Sequence, residues 1–134
     1  MENLKVLVID DQRAMRSIIR GLLKSFGIKD VVESGDGKEA IATLSREKAL
    51  AGELDLIICD LHMENMGGME FVSAIRKGKT FADALIPIII LTGDREEIMH
   101  EVILQVGATM ILNKPISAQD LAHEIQKAIG FLDG

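Results

Sequence analysis

The chain has a single cysteine, Cys59, so no internal disulfide can form. A lone thiol and no signal peptide fit a reducing compartment. Its opening residues, MENLKVLVIDD, lack the basic start, long apolar stretch and small-residue cleavage site of an export signal. No apolar run approaches the ~18 residues that a membrane span needs. A basic excess is also missing. Fifteen Lys and Arg face 21 Asp and Glu, for a net charge of -6. That balance gives no electrostatic reason to expect nucleic acid as a partner. Cys59, His62, His100 and His123 do not form a zinc-ligand spacing. Tyrosine and tryptophan are absent altogether. These absences leave a soluble, cytoplasmic protein as the expectation.

What is present is apolar substance. Hydrophobic residues make up 48% of 134 positions, which argues against disorder and suits one self-sufficient domain. Five short apolar runs stand out, at residues 4–9, 31–32, 54–59, 85–91 and 109–112. Most are continuous rather than alternating, as in strands covered on both faces. The second is short and reads as an edge strand. Pro87 sits early in the fourth, where a missing N–H does least harm. Between the runs the period becomes helical. Met15, Ile18, Ile19, Leu22, Leu23 and Phe26 predict one helix, stopped by Gly27. Further helices are predicted over 39–51, 69–75, 95–106 and 117–129, the last opened by a possible capping box at Ser117–Asp120. Strands alternating with helices predict an α/β domain, a parallel sheet with helices on both faces. The whole chain, 1–134, reads as this one domain, with no effector domain attached.

The residues that end the strong strands carry the chemistry. The first run ends in Asp10-Asp11, the third in Asp60, the fourth in Thr92-Gly93 and the fifth in Asn113-Lys114-Pro115. In a parallel sheet these ends share one edge, where open α/β folds bind ligands. A single aspartate after a strand is most simply a helix cap. Three carboxylates in register with a hydroxyl and an ammonium are not explained that way. Clustered carboxylates repel one another unless a cation neutralises them. Oxygen-only ligands on a partly hydrated site suit Mg²⁺ better than zinc. A cation, Lys114 and Thr92 around a carboxylate suit an anion with several oxygens. The natural candidate is a phosphoryl group, with the carboxylate as nucleophile.

The segments VLVIDDQRAMR, LDLIICDLHMENMGGMEF, IIILTGD and GATMILNKPI, in this order, resemble the receiver domain of two-component response regulators, notably the stand-alone chemotaxis regulators. The resemblance covers essentially the whole chain. It implies a doubly wound five-stranded parallel sheet of flavodoxin-like order 2-1-3-4-5. It implies Asp60 as phosphoacceptor, with Asp10, Asp11, Asp60 and the backbone carbonyl of His62 holding Mg²⁺. Thr92 and Lys114 would each meet a phosphoryl oxygen, and the Lys114-Pro115 peptide is often cis in the family. The implied partners are a histidine kinase or histidine phosphotransfer protein and a downstream target protein. Neither nucleic acid nor a membrane is implied, and the chain would be a monomer or a phosphorylation-dependent dimer. Such a domain is a signalling switch rather than an enzyme, apart from its own phosphorylation and dephosphorylation. The chain departs from the family pattern at four places: Ile111 where an aromatic residue is common, Glu64 where proline is, Gly67 where an acid is, and Gly93 where alanine is.

Other readings have specific weaknesses. An aspartate-nucleophile phosphatase of the haloacid-dehalogenase type would want an acid two residues after Asp60, where His62 stands. A nucleotide or flavin site would want a glycine-rich loop after the first strand, where DDQRAMR is anionic. A receiver-like piece of a larger sensor or hybrid kinase is the alternative within the same family. Two surfaces are candidates for docking. Arg13, Arg16, Arg20 and Lys24 share one face of the first helix and would suit an acidic or polar phosphodonor flank. On the helix over 95–106, Met99 and Ile103 are candidates for partial exposure, the alternative being a wide stripe that faces the core.

Overall fold

The computed structural model describes residues 3–93 and 96–130. Five strands alternate with six helices: β1 (Lys5–Ile9), α1 (Arg13–Ser25), β2 (Asp30–Ser34), α2 (Gly37–Arg46), α3 (Lys48–Glu53), β3 (Leu56–Asp60), α4 (Gly68–Arg76), β4 (Ile88–Thr92), α5 (Glu97–Val106), β5 (Met110–Asn113) and α6 (Ala118–Ile129). The strands are all parallel, in the order β2-β1-β3-β4-β5. The chain leaves β1 for β2 on one side and then crosses to β3 on the other. That reversal opens a crevice at the carboxyl ends of β1 and β3.

The continuous apolar runs follow from two cores on opposite faces. Leu7, Ile9, Ile57, Cys59, Ile88 and Ile90 point toward α2, α3, α4 and α5, meeting Leu44, Ala51, Phe71, Ile75 and Ile103. Val6, Val8, Leu56, Ile58, Ile89 and Leu91 point toward α1 and α6, meeting Ile19, Leu23, Leu121, Ile125 and Ile129. Every residue of β3 and β4 is buried. Such strands cannot alternate polar with apolar residues.

Three boundaries differ from the sequence reading. The helix expected over 39–51 is two helices, broken at Glu47 (φ -113°, ψ 75°). Ala40 and Leu44 face the core, but the next helical repeat brings Glu47 and Lys48. The break re-aims the chain so that Ala51 is buried instead. β4 starts at Ile88, not at residue 85. The Asp83 carboxylate accepts from the Leu85 N–H (2.9 Å) and the Asp83 carbonyl from the Ile86 N–H (3.1 Å). This turn throws Leu85 outward to 84% exposure. Pro87 precedes the strand, and its carbonyl accepts from Ile57 N–H. The third difference is β2, which spans five residues as an edge strand. The helix stops behave as expected: Gly27 (φ 96°) and Gly107 (φ 129°) adopt left-handed backbone after α1 and α5. Ser117 caps α6 by accepting from Asp120 N–H. Arg95 lies outside the described residues, and α5 is described from Glu97.

Arg76, at the end of α4, was not singled out by any sequence pattern. Its guanidinium donates to the carbonyls of Gly107 (2.8 Å), Ala84 (2.9 Å) and Ile86 (2.7 Å). It thereby pins α4 to the segments entering β4 and β5. Burial pushes its pKa down from the ordinary value.

Candidate functional site

The carboxyl-terminal edge of the sheet gathers the predicted residues. Asp10 directly follows β1, Asp60 ends β3, Thr92 ends β4 and Lys114 directly follows β5. Backbone bonds continue the ladder past the strand ends and hold these positions in register. Asp10 N–H donates to Ser34 O (3.2 Å), Leu61 N–H to Leu91 O (2.9 Å) and Lys114 N–H to Thr92 O (2.9 Å). Asp10, Asp60 and Thr92 are buried, at 1%, 6% and 1% exposure, whereas Asp11 is exposed. The Lys114-Pro115 peptide is cis.

The charges at this edge are tightly coupled. Lys114 Nζ lies 2.7 Å from Asp60 Oδ1 and 3.9 Å from Asp10 Oδ2. Asp10 Oδ1 accepts from the Gln12 N–H (2.8 Å), but Asp10 Oδ2 is buried with no hydrogen-bond partner. Burial pushes the Asp10 carboxyl above the ordinary value of 3.8; the Gln12 N–H opposes this and the Asp60 carboxylate adds to it. Carboxylate oxygens of Asp10, Asp11 and Asp60 come within 4.8 Å of one another. A buried, unpartnered carboxylate oxygen beside two further carboxylates is short of positive charge. The donor set is all oxygen and opens to solvent through Asp11, so it fits a hard, partly hydrated cation such as Mg²⁺. His62 lies on the exposed loop after Asp60, and with Asp11, Leu61, Met63 and Glu64 it lines a cleft of about 500 Å³.

Cys59 is buried, its Sγ 3.3 Å from the Asp60 carbonyl, and burial drives its thiol pKa far up, so it stays protonated. Ile111 pairs with Ile90 in register and is half-buried against the α2/α4/α5 core. The α1 cation stripe is divided. Arg16 donates to the Asp10 carbonyl (2.6 Å) and to Glu33 (3.1 Å), while Arg20 reaches Glu33 (2.8 Å) and the Val31 carbonyl (3.1 Å). Burial would raise the Glu33 pKa, but the two guanidinium groups hold it below the ordinary value. Arg16 and Arg20 thus tie α1 to the edge strand, leaving Arg13 and Lys24 as the stripe's outward cations. On α5 the expectation holds at Met99, which is partly exposed, and fails at Ile103. Ile103 is buried at 2%, and the exposed apolar residues are Ile98 (75%), Val102 and Leu104. The apolar positions of this helix run nearly all round, so spacing alone does not fix which face is covered.

Comparison with known proteins decides the family. A model of the response regulator receiver domain matches residues 6–126. The chain belongs to this family. A chemotaxis protein CheY homolog of Campylobacter jejuni is 30% identical, over 95% of this chain and 93% of that protein. A probable chemotaxis protein CheY of Rhizobium etli is 28% identical over 98% of this chain and 96% of its own. Among solved structures, the chemotaxis protein CheY4 of Vibrio cholerae superposes with a TM-score of 0.79 at 33% identity, covering 93% of this chain and 98% of that one. The receiver domain of a sensor histidine kinase from Pseudomonas aeruginosa, described with a magnesium ion coordinated in its active-site cleft, has a TM-score of 0.79 at 26% identity, covering 96% of this chain and 98% of its own. The protein is therefore a receiver domain of the two-component type with the five-stranded 2-1-3-4-5 sheet. Among the described residues of this receiver domain, no helix is long and apolar enough to cross a membrane.

Proposed function

We propose that this receiver domain is a phosphorylation-dependent signalling switch that accepts a phosphoryl group on Asp60 from a histidine kinase or histidine phosphotransfer protein. The observation that carries this reading is the pairing of Lys114 with Asp60 at 2.7 Å, beside the unpartnered, buried Asp10 oxygen. Mg²⁺ held by Asp10, Asp11, Asp60 and the His62 carbonyl would neutralise the carboxylates and the incoming phosphoryl oxygens. The magnesium described for the Pseudomonas aeruginosa receiver domain supports this assignment.

The chain's own residues then do the following. An Asp60 carboxylate oxygen forms the new P–O bond as the P–N bond to the donor imidazole breaks. The imidazole nitrogen leaves with the electron pair and takes a proton from solvent. The Lys114 ammonium turns to a phosphoryl oxygen, and the Thr92 hydroxyl donates to another. Burial of Asp60 and Thr92 limits access of the water that later hydrolyses the acyl phosphate. The new dianion biases a two-state surface by drawing on groups at the ends of β4 and β5. Output is docking on a downstream target protein, or onward phosphorelay, as a monomer or as a dimer formed on phosphorylation, in the cytoplasm.

Intact-mass analysis after incubation with a small acyl-phosphate donor and Mg²⁺ tests the reading. Wild type should gain one phosphoryl group and Asp60→Asn none. No gain in wild type, or the same gain in the variant, contradicts it.

A further inference from the structure

The loop between Asp60 and α4 is anchored at two levels. At its base, the Gly68 N–H donates to the Leu61 carbonyl (2.9 Å), and a Cβ on Gly68 would lie 2.7 Å from the Asp60 carbonyl oxygen. The loop therefore returns directly against the backbone of Asp60. Its far end is held by another element entirely, the start of α2. Asn65 Nδ2 donates to Asp36 Oδ2 (2.8 Å), and the Gly37 N–H donates to the Met66 carbonyl (3.2 Å). Glycine at 37 eases this approach, because a Cβ there would lie 2.9 Å from Met66 Cγ and 3.0 Å from the Met66 carbonyl oxygen.

Asn65 is the only non-glycine with positive φ among the described residues, at 65°. Asparagine tolerates that left-handed turn better than most residues. The turn brings its amide to Asp36. Asp36 is itself fully used: Oδ1 caps α2 by accepting from the Glu39 N–H (2.8 Å), and Oδ2 takes Asn65. Glu39 reaches back to accept from the Gly35 N–H (3.0 Å), one residue before the cap, and tightens this end of the helix. The Asn65 amide, together with the α2 cap, holds the Asp36 carboxyl below its ordinary value. The same stretch touches the opposite wall of the site, since the Ser34 carbonyl accepts from the Asp10 N–H. One short segment, Ser34 to Gly37, thus meets Asp10 on one side and the loop carrying His62 on the other.

We infer that Asp36 and Asn65 are a positioning pair: they fix the loop after Asp60 against α2 and so set the alignment of the His62 backbone with the carboxylate cluster. Neither side chain is among the residues assigned to the cation or the phosphoryl group. They act as supporting contacts behind a ligand, whose loss typically costs about 10-fold to 100-fold in metal affinity. This deepens the functional reading above and rests on it.

Asn65→Gly keeps the left-handed backbone and removes only the amide. Asp36→Ser keeps an oxygen to cap α2 and removes the second oxygen together with the charge. Calorimetric Mg²⁺ titration should show each variant weakened about tenfold. The double variant should be no weaker than either single one, because both remove the same bond. In metal-free protein, amide hydrogen exchange at residues 62–66 should quicken in all three variants while β3 stays protected. Unchanged Mg²⁺ affinity, multiplying effects in the double variant, or unaltered loop exchange would each overturn the pair. Exchange and calorimetry need no phosphodonor. A wild type that takes up no phosphoryl group would therefore remove the functional reading alone, and these measurements would still decide the pair.

Discussion

Asp10 is held in an unfavourable place for a charge. Its carboxylate is buried, one oxygen has no hydrogen-bond partner, and the Asp60 carboxylate lies beside it. Its native pKa is raised, so the folded chain binds this proton more readily than the unfolded one. The Asp10 contribution to stability therefore falls as pH rises from the ordinary value of 3.8 through the raised native one, and is recovered on acidification. Asp10→Asn should raise the thermal midpoint of the metal-free protein, by about 1–2 kcal/mol of stability, since it removes a buried charge that desolvation and Asp60 penalise more than Lys114 at 3.9 Å offsets. The wild-type-minus-variant difference in stability should grow more favourable to wild type as pH falls through that window. Thermal unfolding at a series of pH values, in chelator, measures this directly, and a flat difference would contradict the assignment. Lys114 is the complementary case. Lys114→Met leaves Asp60 without its 2.7 Å partner and should slow phosphorylation from a small donor about 100-fold, the usual cost of a lost donor at a developing charge. Rapid-quench kinetics with that donor would show it.

At the scale of elements, the strand ends were legible and the helix ends and faces were less so. β1, β3, β4 and β5 announce themselves because burial on both faces forces unbroken apolar runs, and the run stops where the site begins. Asp10, Asp60, Thr92 and Lys114 were therefore placed on one edge from spacing alone. The break at Glu47 was not legible, since residues 39–51 carry enough apolar spacing for one helix and only the core shows that α3 must be re-aimed. Nor was the clamp of Arg76, whose partners are backbone carbonyls in two separate segments and carry no side-chain signature. The α1 stripe was read from the helix alone, which hides that Glu33 on the edge strand claims Arg16 and Arg20. Two consequences are measurable. Arg76→Lys keeps the charge and loses the fork of donors; it should destabilise the domain by about 2 kcal/mol in urea unfolding while Mg²⁺ affinity stays unchanged. Charge reversal at Arg16 should slow phosphorylation from a small donor as well as from a kinase, because Arg16 also holds the Asp10 carbonyl at 2.6 Å. Reversal at the outward Arg13 should affect only the kinase reaction.

For the molecule as a whole, the sheet brings together three carboxylates that the chain sets far apart, Asp10 and Asp11 with Asp60, and without a bound metal ion their mutual repulsion opposes folding. Mg²⁺ should therefore stabilise the domain by mass action, about 2.7 kcal/mol at a hundredfold excess over its dissociation constant, seen as a rise of several degrees in the thermal midpoint. Asp11→Asn, at the exposed mouth of the cluster, should remove that rise and leave the metal-free midpoint nearly unchanged. The claim on which the account depends is still that Asp60 itself receives the phosphoryl group. Borohydride reduces an acyl phosphate to the alcohol, so trapping the donor-treated protein and sequencing its peptides by tandem mass spectrometry locates the modified carboxylate. The account predicts homoserine at position 60 and at no other acidic residue. Homoserine at Asp10, Asp11 or elsewhere, with residue 60 unmodified, would contradict it.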